Sequence, residues 1–180
     1  TEEAVEKMLD EIEANRNDEE FLGLLNEIHA KNIPMHYHRG YTVMTADGNN
    51  QREVVEFRDE KRPIWFIYSG MGSQWASMAK EMMSVDVFRQ AINKCAEILK
   101  PEGVDLLDIL TKSDESKFDN ILNSFVSIAA VQVALTDVLT SQGIHPDGMV
   151  GHSVGELGCA YADGCFTAEQ TVLAAYWRGR

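Results

Sequence analysis

A short apolar strand runs directly into Gly151-His152-Ser153-Val154-Gly155, and a helical pattern follows. This stretch constrains the fold more than any other. It is the G-x-S-x-G pattern in the strand–turn–helix setting of a nucleophile elbow. Gly151 and Gly155 let the chain turn sharply, so Ser153 can stand exposed above a sheet. The amides just after Ser153 open a helix and are free to stabilise an oxyanion. A plainer reading competes. Ser153 and Glu156 are also spaced as a capping box, in which the serine only closes a helix end. Two flanking glycines and a strand directly before the serine are not needed for a cap, so the nucleophile reading is preferred.

The 180 residues fit one domain, or one and a part, and 44% hydrophobic content can bury a core. No apolar run reads as long as a membrane span, and no signal peptide is visible. The net charge is −13, and residues 1–60 hold 15 acidic against 6 basic side chains. That balance argues against a nucleic-acid partner. Cys95, Cys159 and Cys165 form no C-x-x-C pair. They read as small buried hydrophobes of a protein in a reducing, cytoplasmic setting. The chain begins at Thr1 and ends at Arg180 with a helical pattern still running, and it is read as a segment of a longer polypeptide.

Thr1–Ala30 reads as two acidic helices broken near Asn15–Asp18. Tyr41–Met44 and Val54–Phe57 read as strands around an Asp47–Asn50 turn. His36 and His38 lie nearby without a further ligand, so no metal site is assigned. The charged run Arg58–Pro63 reads as a boundary. Ile64–Tyr68 is apolar on both faces, as in a central parallel strand. It leads into Ser69-Gly70-Met71-Gly72-Ser73-Gln74-Trp75 and then a helix to about Met83. A phosphate loop is discounted there because the Gly-Lys-Ser/Thr ending is absent. Helices are expected over about Val85–Leu99 and Lys117–Leu139. Gln132 falls within the apolar stripe of the second. A polar group there costs free energy without a partner, so it either satisfies a backbone group or serves a site. Gly143 ends that helix, Thr167 and Gln170 form a capping box for the last one, and Arg178 lies off that helix's apolar stripe and reads as solvated.

With these residues assembled, the chain resembles the malonyl/acetyltransferase region of animal type I fatty acid synthase. The resemblance rests on Trp65–Trp75 (WFIYSGMGSQW), Ser124–Gln132 (SFVSIAAVQ), Pro146–Glu156 (PDGMVGHSVGE), Tyr161–Cys165 (YADGC) and Ala174–Gly179 (AAYWRG). Residues 1–60, with Arg39-Gly40-Tyr41, resemble the linker between the ketosynthase and this domain, and residues 61–180 resemble the first part of the acyltransferase. The implied fold is α/β: a parallel sheet with flanking helices, an α/β-hydrolase-like core belonging to an incomplete large subdomain, preceded by a small α/β linker. Ser69-Gly70-Met71-Gly72 favours the animal enzyme over bacterial acyltransferases.

The resemblance implies that Ser153 accepts the acyl group and that the backbone amides of Met71 and Val154 form the oxyanion hole. It implies that Gln132 lines the site and that Arg178 pairs with the malonyl carboxylate, which reverses the solvated reading of that residue. Malonyl and acetyl groups would pass from coenzyme A to the phosphopantetheine thiol of an acyl carrier protein, with no metal or cofactor for this step. The parent would be a homodimer with a neighbouring ketosynthase. In this family the histidine base lies well downstream of the serine, past an inserted subdomain, so neither His145 nor His152 is assigned as base and the isolated segment is expected to be inactive. Alternatives remain: the acyltransferase of an iterative polyketide synthase, a serine hydrolase (disfavoured because no His-Gly-Gly-Gly-like loop precedes the serine), or a non-catalytic piece.

Overall fold

In the computed structural model, which describes residues 1–31, 33–58 and 60–180, the chain divides into two compact units, Thr1–Lys61 and Arg62–Arg180. Asp59, within the charged run of 58–63, lies outside the described residues.

The first unit pairs helices with a hairpin. Helix α1 (Glu2–Ala14) is capped by Thr1, whose hydroxyl accepts from the Ala4 amide at 3.2 Å, and it carries Glu2 and Glu3 in its first turn, where the helix dipole favours acids. Helix α2 (Glu19–His29) is capped by Asp18. Strands β1 (His38–Met44) and β2 (Asn50–Glu56) pair antiparallel from His38–Glu56 to Met44–Asn50. Both run longer than their apolar residues suggested, because backbone pairing continues through polar positions. Gly40 lets α1 lie close on the hairpin: a Cβ there would sit 2.6 Å from Val5 Cγ1 and 3.1 Å from Leu9 Cδ1. Glu6, Asp10 and Glu13 share one face of α1, and Arg52 reaches them from β2 at 2.9, 2.6 and 3.7 Å.

The second unit is α/β. Strands β3 (Trp65–Tyr68) and β4 (Gly148–Gly151) pair in parallel, with Trp65 beside Gly148 and Tyr68 beside Gly151. The carboxyl ends of both strands therefore lie side by side, and the loops that follow them emerge at one edge, the usual place for a site in an open α/β sheet. Phe66 and Tyr68 turn inward. Trp65 and Ile67 are 60% and 77% exposed, so β3 is not buried on both faces as its composition suggested.

Helices α3 (Asp86–Leu99), α4 (Leu106–Thr111), α5 (Ile121–Ser141), α6 (Gly155–Ala162) and α7 (Ala168–Gly179) complete the unit. Helix α5 is its axis. Val126, Ala130 and Val133 meet Phe88, Ile92 and Leu99 of α3, Leu106 and Leu110 of α4, and Val172 and Tyr176 of α7. Ile128 and Ala129 on another side of α5 meet Val154, Leu157 and Ala175. Truncating a fully buried residue such as Ile92 would cost about 2–5 kcal/mol. By length and composition α5 is apolar enough to cross a membrane, which the composition reading missed, but half of its most apolar window is buried within this core.

Two further expectations fail. No helix runs from Trp75 to Met83; turns lead instead to a short 3-10 segment at Glu81–Ser84. Ser77 adopts φ +60°, a left-handed conformation that interrupts a right-handed helix. The helix expected from Lys117 starts at Ile121, where Asn120 caps it by accepting from the Leu122 amide, and residues 115–119 form a 3-10 turn.

Candidate active site

Ser153 has φ +57°. A serine in the left-handed region carries a local cost of about 1–2 kcal/mol, which the surrounding contacts must overcome. They do so through close backbone approach. A Cβ at Gly151 would sit 2.5 Å from the Gly155 carbonyl oxygen, and one at Gly155 would sit 2.7 Å from the Tyr68 carbonyl carbon. The Val154 side chain is fully buried in the smaller core cluster and anchors the turn.

The same geometry separates the elbow from the cap. Helix α6 begins at Gly155 with Val154 as its N-cap, and no side chain caps it. At the start of α7 a true capping box is present: Thr167 Oγ1 accepts from the Gln170 amide at 3.2 Å, and Gln170 Oε1 accepts from the Thr167 amide at 2.9 Å. Ser153 and Glu156 share the spacing but not the bonds, and among the described residues the Ser153 hydroxyl has no hydrogen-bond partner.

The loop after β3 is pressed against the elbow. A Cβ on Gly70 would meet His152 O at 2.6 Å and Ser153 Cβ at 3.2 Å, so only glycine fits without displacement. Three successive carbonyls are fixed. Tyr68 O accepts from the His152 amide at 3.0 Å, Ser69 O from Gln132 Nε2 at 2.7 Å, and Gly70 O from Ser73 Oγ at 2.9 Å. The Met71 amide follows immediately. Neither it nor the Val154 amide donates a hydrogen bond among the described residues. Each amide thus lies next in sequence to a residue of the Gly70–Ser153 contact, Met71 after Gly70 and Val154 after Ser153.

Gln132 sits on α5 beneath this loop. Its Nε2 is committed to Ser69 O, while its Oε1 is buried without a partner. Next to it, Thr136 Oγ1 donates to Gln132 O at 2.7 Å, so the contact of 2.8 Å between Tyr68 and Thr136 has the tyrosine hydroxyl as donor. Arg178, in the last turn of α7, is exposed and forms no ion pair among the described residues. Its guanidinium lies 5.9 Å from the centre of the Phe125 ring. Phe125 packs against the cluster that holds Val154, which ties Arg178 to the elbow through one aromatic side chain.

No histidine nitrogen bonds to Ser153 Oγ among the described residues. His152 is exposed, with Nδ1 beside Gly70. The three cysteines are free. Burial pushes the Cys95 thiol up to about 12, and burial followed by Glu156 raises that of Cys159, so both stay protonated and weakly nucleophilic. Cys165 is exposed rather than buried and donates to Asp163 at 3.1 Å. Sequence reasoning gave no site role to Phe125, to the Tyr68–Thr136 pair or to Gly70, although Phe125 and Gly70 lie within the stretches that carry the resemblance.

Residues 65–180 match the acyl transferase domain family, and residues 1–43 match the ketoacyl-synthetase C-terminal extension. Over 158 residues the chain is 34% identical to the highly reducing polyketide synthase virA of Hypocrea virens, covering 78% of this chain and 7% of that protein. The chain therefore spans less than a tenth of that relative's length. Among solved structures, the acyl transferase domain of ZmaA is 27% identical with a TM-score of 0.66, over 71% of this chain and 31% of that one. A type II polyketide synthase acyl-carrier protein complexed with its malonyl-transacylase, PlMCAT:AntF, gives 23% identity and a TM-score of 0.59, over 66% of this chain and 38% of that one. At that identity the likeness is one of fold.

Proposed function

Because this chain belongs to the acyl transferase domain family, we propose that Ser153 carries an acyl group between a coenzyme A thioester and the phosphopantetheine thiol of an acyl carrier protein. The observation that supports this most is Ser153 itself, held at φ +57° without a capping bond and pressed by the Gly70 loop. Its Oγ attacks the thioester carbonyl and gives its proton to a general base. The oxyanion forms against the amides of Met71 and Val154. Collapse expels the coenzyme A thiolate, which takes up a proton, and leaves an acyl-serine. The carrier thiol then attacks that ester and regenerates the hydroxyl. None of the five histidines of this chain is assigned as the base.

Malonyl and acetyl are the proposed acyl groups, with Arg178 as the partner of the malonyl carboxylate. The carrier-protein partner follows from the acyl-transfer reading of the family match, and a neighbouring ketosynthase is supported by the extension matched at residues 1–43. For the parent, the reducing polyketide synthase relative favours a polyketide synthase over the fatty acid synthase suggested by the motifs. Three free cysteines support a reducing compartment.

The test is transfer of radiolabelled malonate from malonyl-CoA to a holo carrier protein by the full-length protein. Ser153→Ala is expected to lower the rate at least about 1000-fold. Retention of the rate would overturn the proposal.

A further inference from the structure

The geometry points to Gln132 as the positioning residue of the oxyanion loop rather than a wall of the substrate pocket, an inference that rests on the acyl-transfer reading above. A side chain that lined the pocket would present a free donor or acceptor to the acyl group. Gln132 Oε1 cannot, because it is buried: a Cβ on Gly158 would sit 2.6 Å from it and 2.6 Å from Tyr68 Cδ1. Gln132 Nε2 is already given to Ser69 O at 2.7 Å. That carbonyl lies two residues before Met71, and it is the middle one of the three fixed carbonyls. The outer two are held by the elbow itself and by Ser73 within the loop. The Gln132 bond therefore ties the loop to α5, the most deeply embedded helix of the unit. Without it, the Ser69–Gly70 peptide is free to rotate and to carry the Met71 amide away from Ser153.

The cost of this arrangement separates position from stability. A buried, unpartnered carbonyl oxygen destabilises the fold. Methionine is close in length and flexible, so it can fill the same space without that cost. If Gln132 served the fold alone, Gln132→Met would move the melting temperature and leave kcat and KM unchanged. If it positions the Met71 amide, Gln132→Met keeps or raises the melting temperature while losing transition-state stabilisation. Removing one oxyanion donor typically lowers turnover by about 100–1000-fold, and misplacing one by rather less.

The experiment measures kcat and KM for malonyl and acetyl transfer, and the melting temperature, in the full-length protein and its Gln132→Met variant. The expected result is a kcat lower by at least tenfold for both acyl groups, KM within about threefold, and an unchanged or higher melting temperature. A loss confined to KM, or to one acyl group, would show that Gln132 contacts substrate and overturn the inference. Unchanged kinetics would overturn it equally. Gly158→Ala is the second variant: its added methyl crowds both Gln132 Oε1 and the Tyr68 ring, each 2.6 Å away, and by displacing the Gln132 side chain it should lower kcat for both acyl groups too. Absence of acyl transfer in the unsubstituted protein would instead refute the acyl-transfer reading, a distinct outcome.

Discussion

At Ser153 a local motif and its backbone conformation agree. Flanking glycines announce a turn too tight for side chains, and the turn places the serine at φ +57°. The competing cap was legible from the spacing to Glu156, the flanking glycines and the preceding strand disfavoured it, and the absence of its bonds removes it. Arg178 was legible in a weaker sense. Its sequence position gave a solvated residue, and the structure keeps it exposed, over Phe125 and without an ion pair among the described residues. That arrangement leaves a guanidinium available to a carboxylate. Malonyl carries one and acetyl does not, so under the proposed pairing only malonyl would gain a charge-assisted bidentate contact. Losing such a pair costs about 2–5 kcal/mol when it is desolvated. Arg178→Ala should therefore lower malonyl transfer at least tenfold and leave acetyl transfer nearly unchanged in parallel kinetic assays. Equal losses for both would assign Arg178 to packing on Phe125.

Elements were legible where periodicity was strong. Helices α1, α2 and α3 form where apolar residues recur at helical spacing, but in α5 the expected stripe through Gln132 is mostly outward, with Ile121, Leu135 and Leu139 exposed, and the core face runs instead through Val126, Ala130 and Val133. Helix α4, only six residues long, gave no periodic signal. The segment after Trp75 looked helical because its composition is helix-compatible, yet Ser77 turns left-handed there. Such a residue is fixed by tertiary contacts that composition does not encode. Glycines show the same dependence on context. Gly23 lies inside α2, and a Cβ added to it would meet nothing within 4 Å, whereas Gly155 opens α6 against the Tyr68 carbonyl. Gly23→Ala should raise stability by about 0.5–1 kcal/mol through helix propensity. Gly155→Ala should lower it by about 2 kcal/mol or more, because backbone meets side chain with no room to relax. Urea unfolding of the two variants would check the pair, and equal effects would mean that the close approach of α6 to β3 is not maintained.

For the whole molecule, the α/β character of the second unit was legible from a strand, a glycine turn and a second strand leading to the elbow. The motifs pointed to a fatty acid synthase, whereas relatives such as virA are polyketide synthases. Gly151–Gly155 and Ser69–Gly72 are the turns where the oxyanion site is proposed, and the acyl transferase domain family to which the chain belongs matches the stretch that holds both. The similarity to a reducing polyketide synthase spans 158 residues and draws on positions outside the motifs. The central claim is nevertheless independent of the product: an acyl group must rest on Ser153. The most direct measurement is to mix the full-length protein with malonyl-CoA, quench in acid without a carrier protein, digest, and map the malonyl ester by mass spectrometry. The account predicts an ester on the peptide containing Ser153, absent from Ser153→Ala. A stable malonyl adduct on another residue, or one that persists in Ser153→Ala, would contradict it.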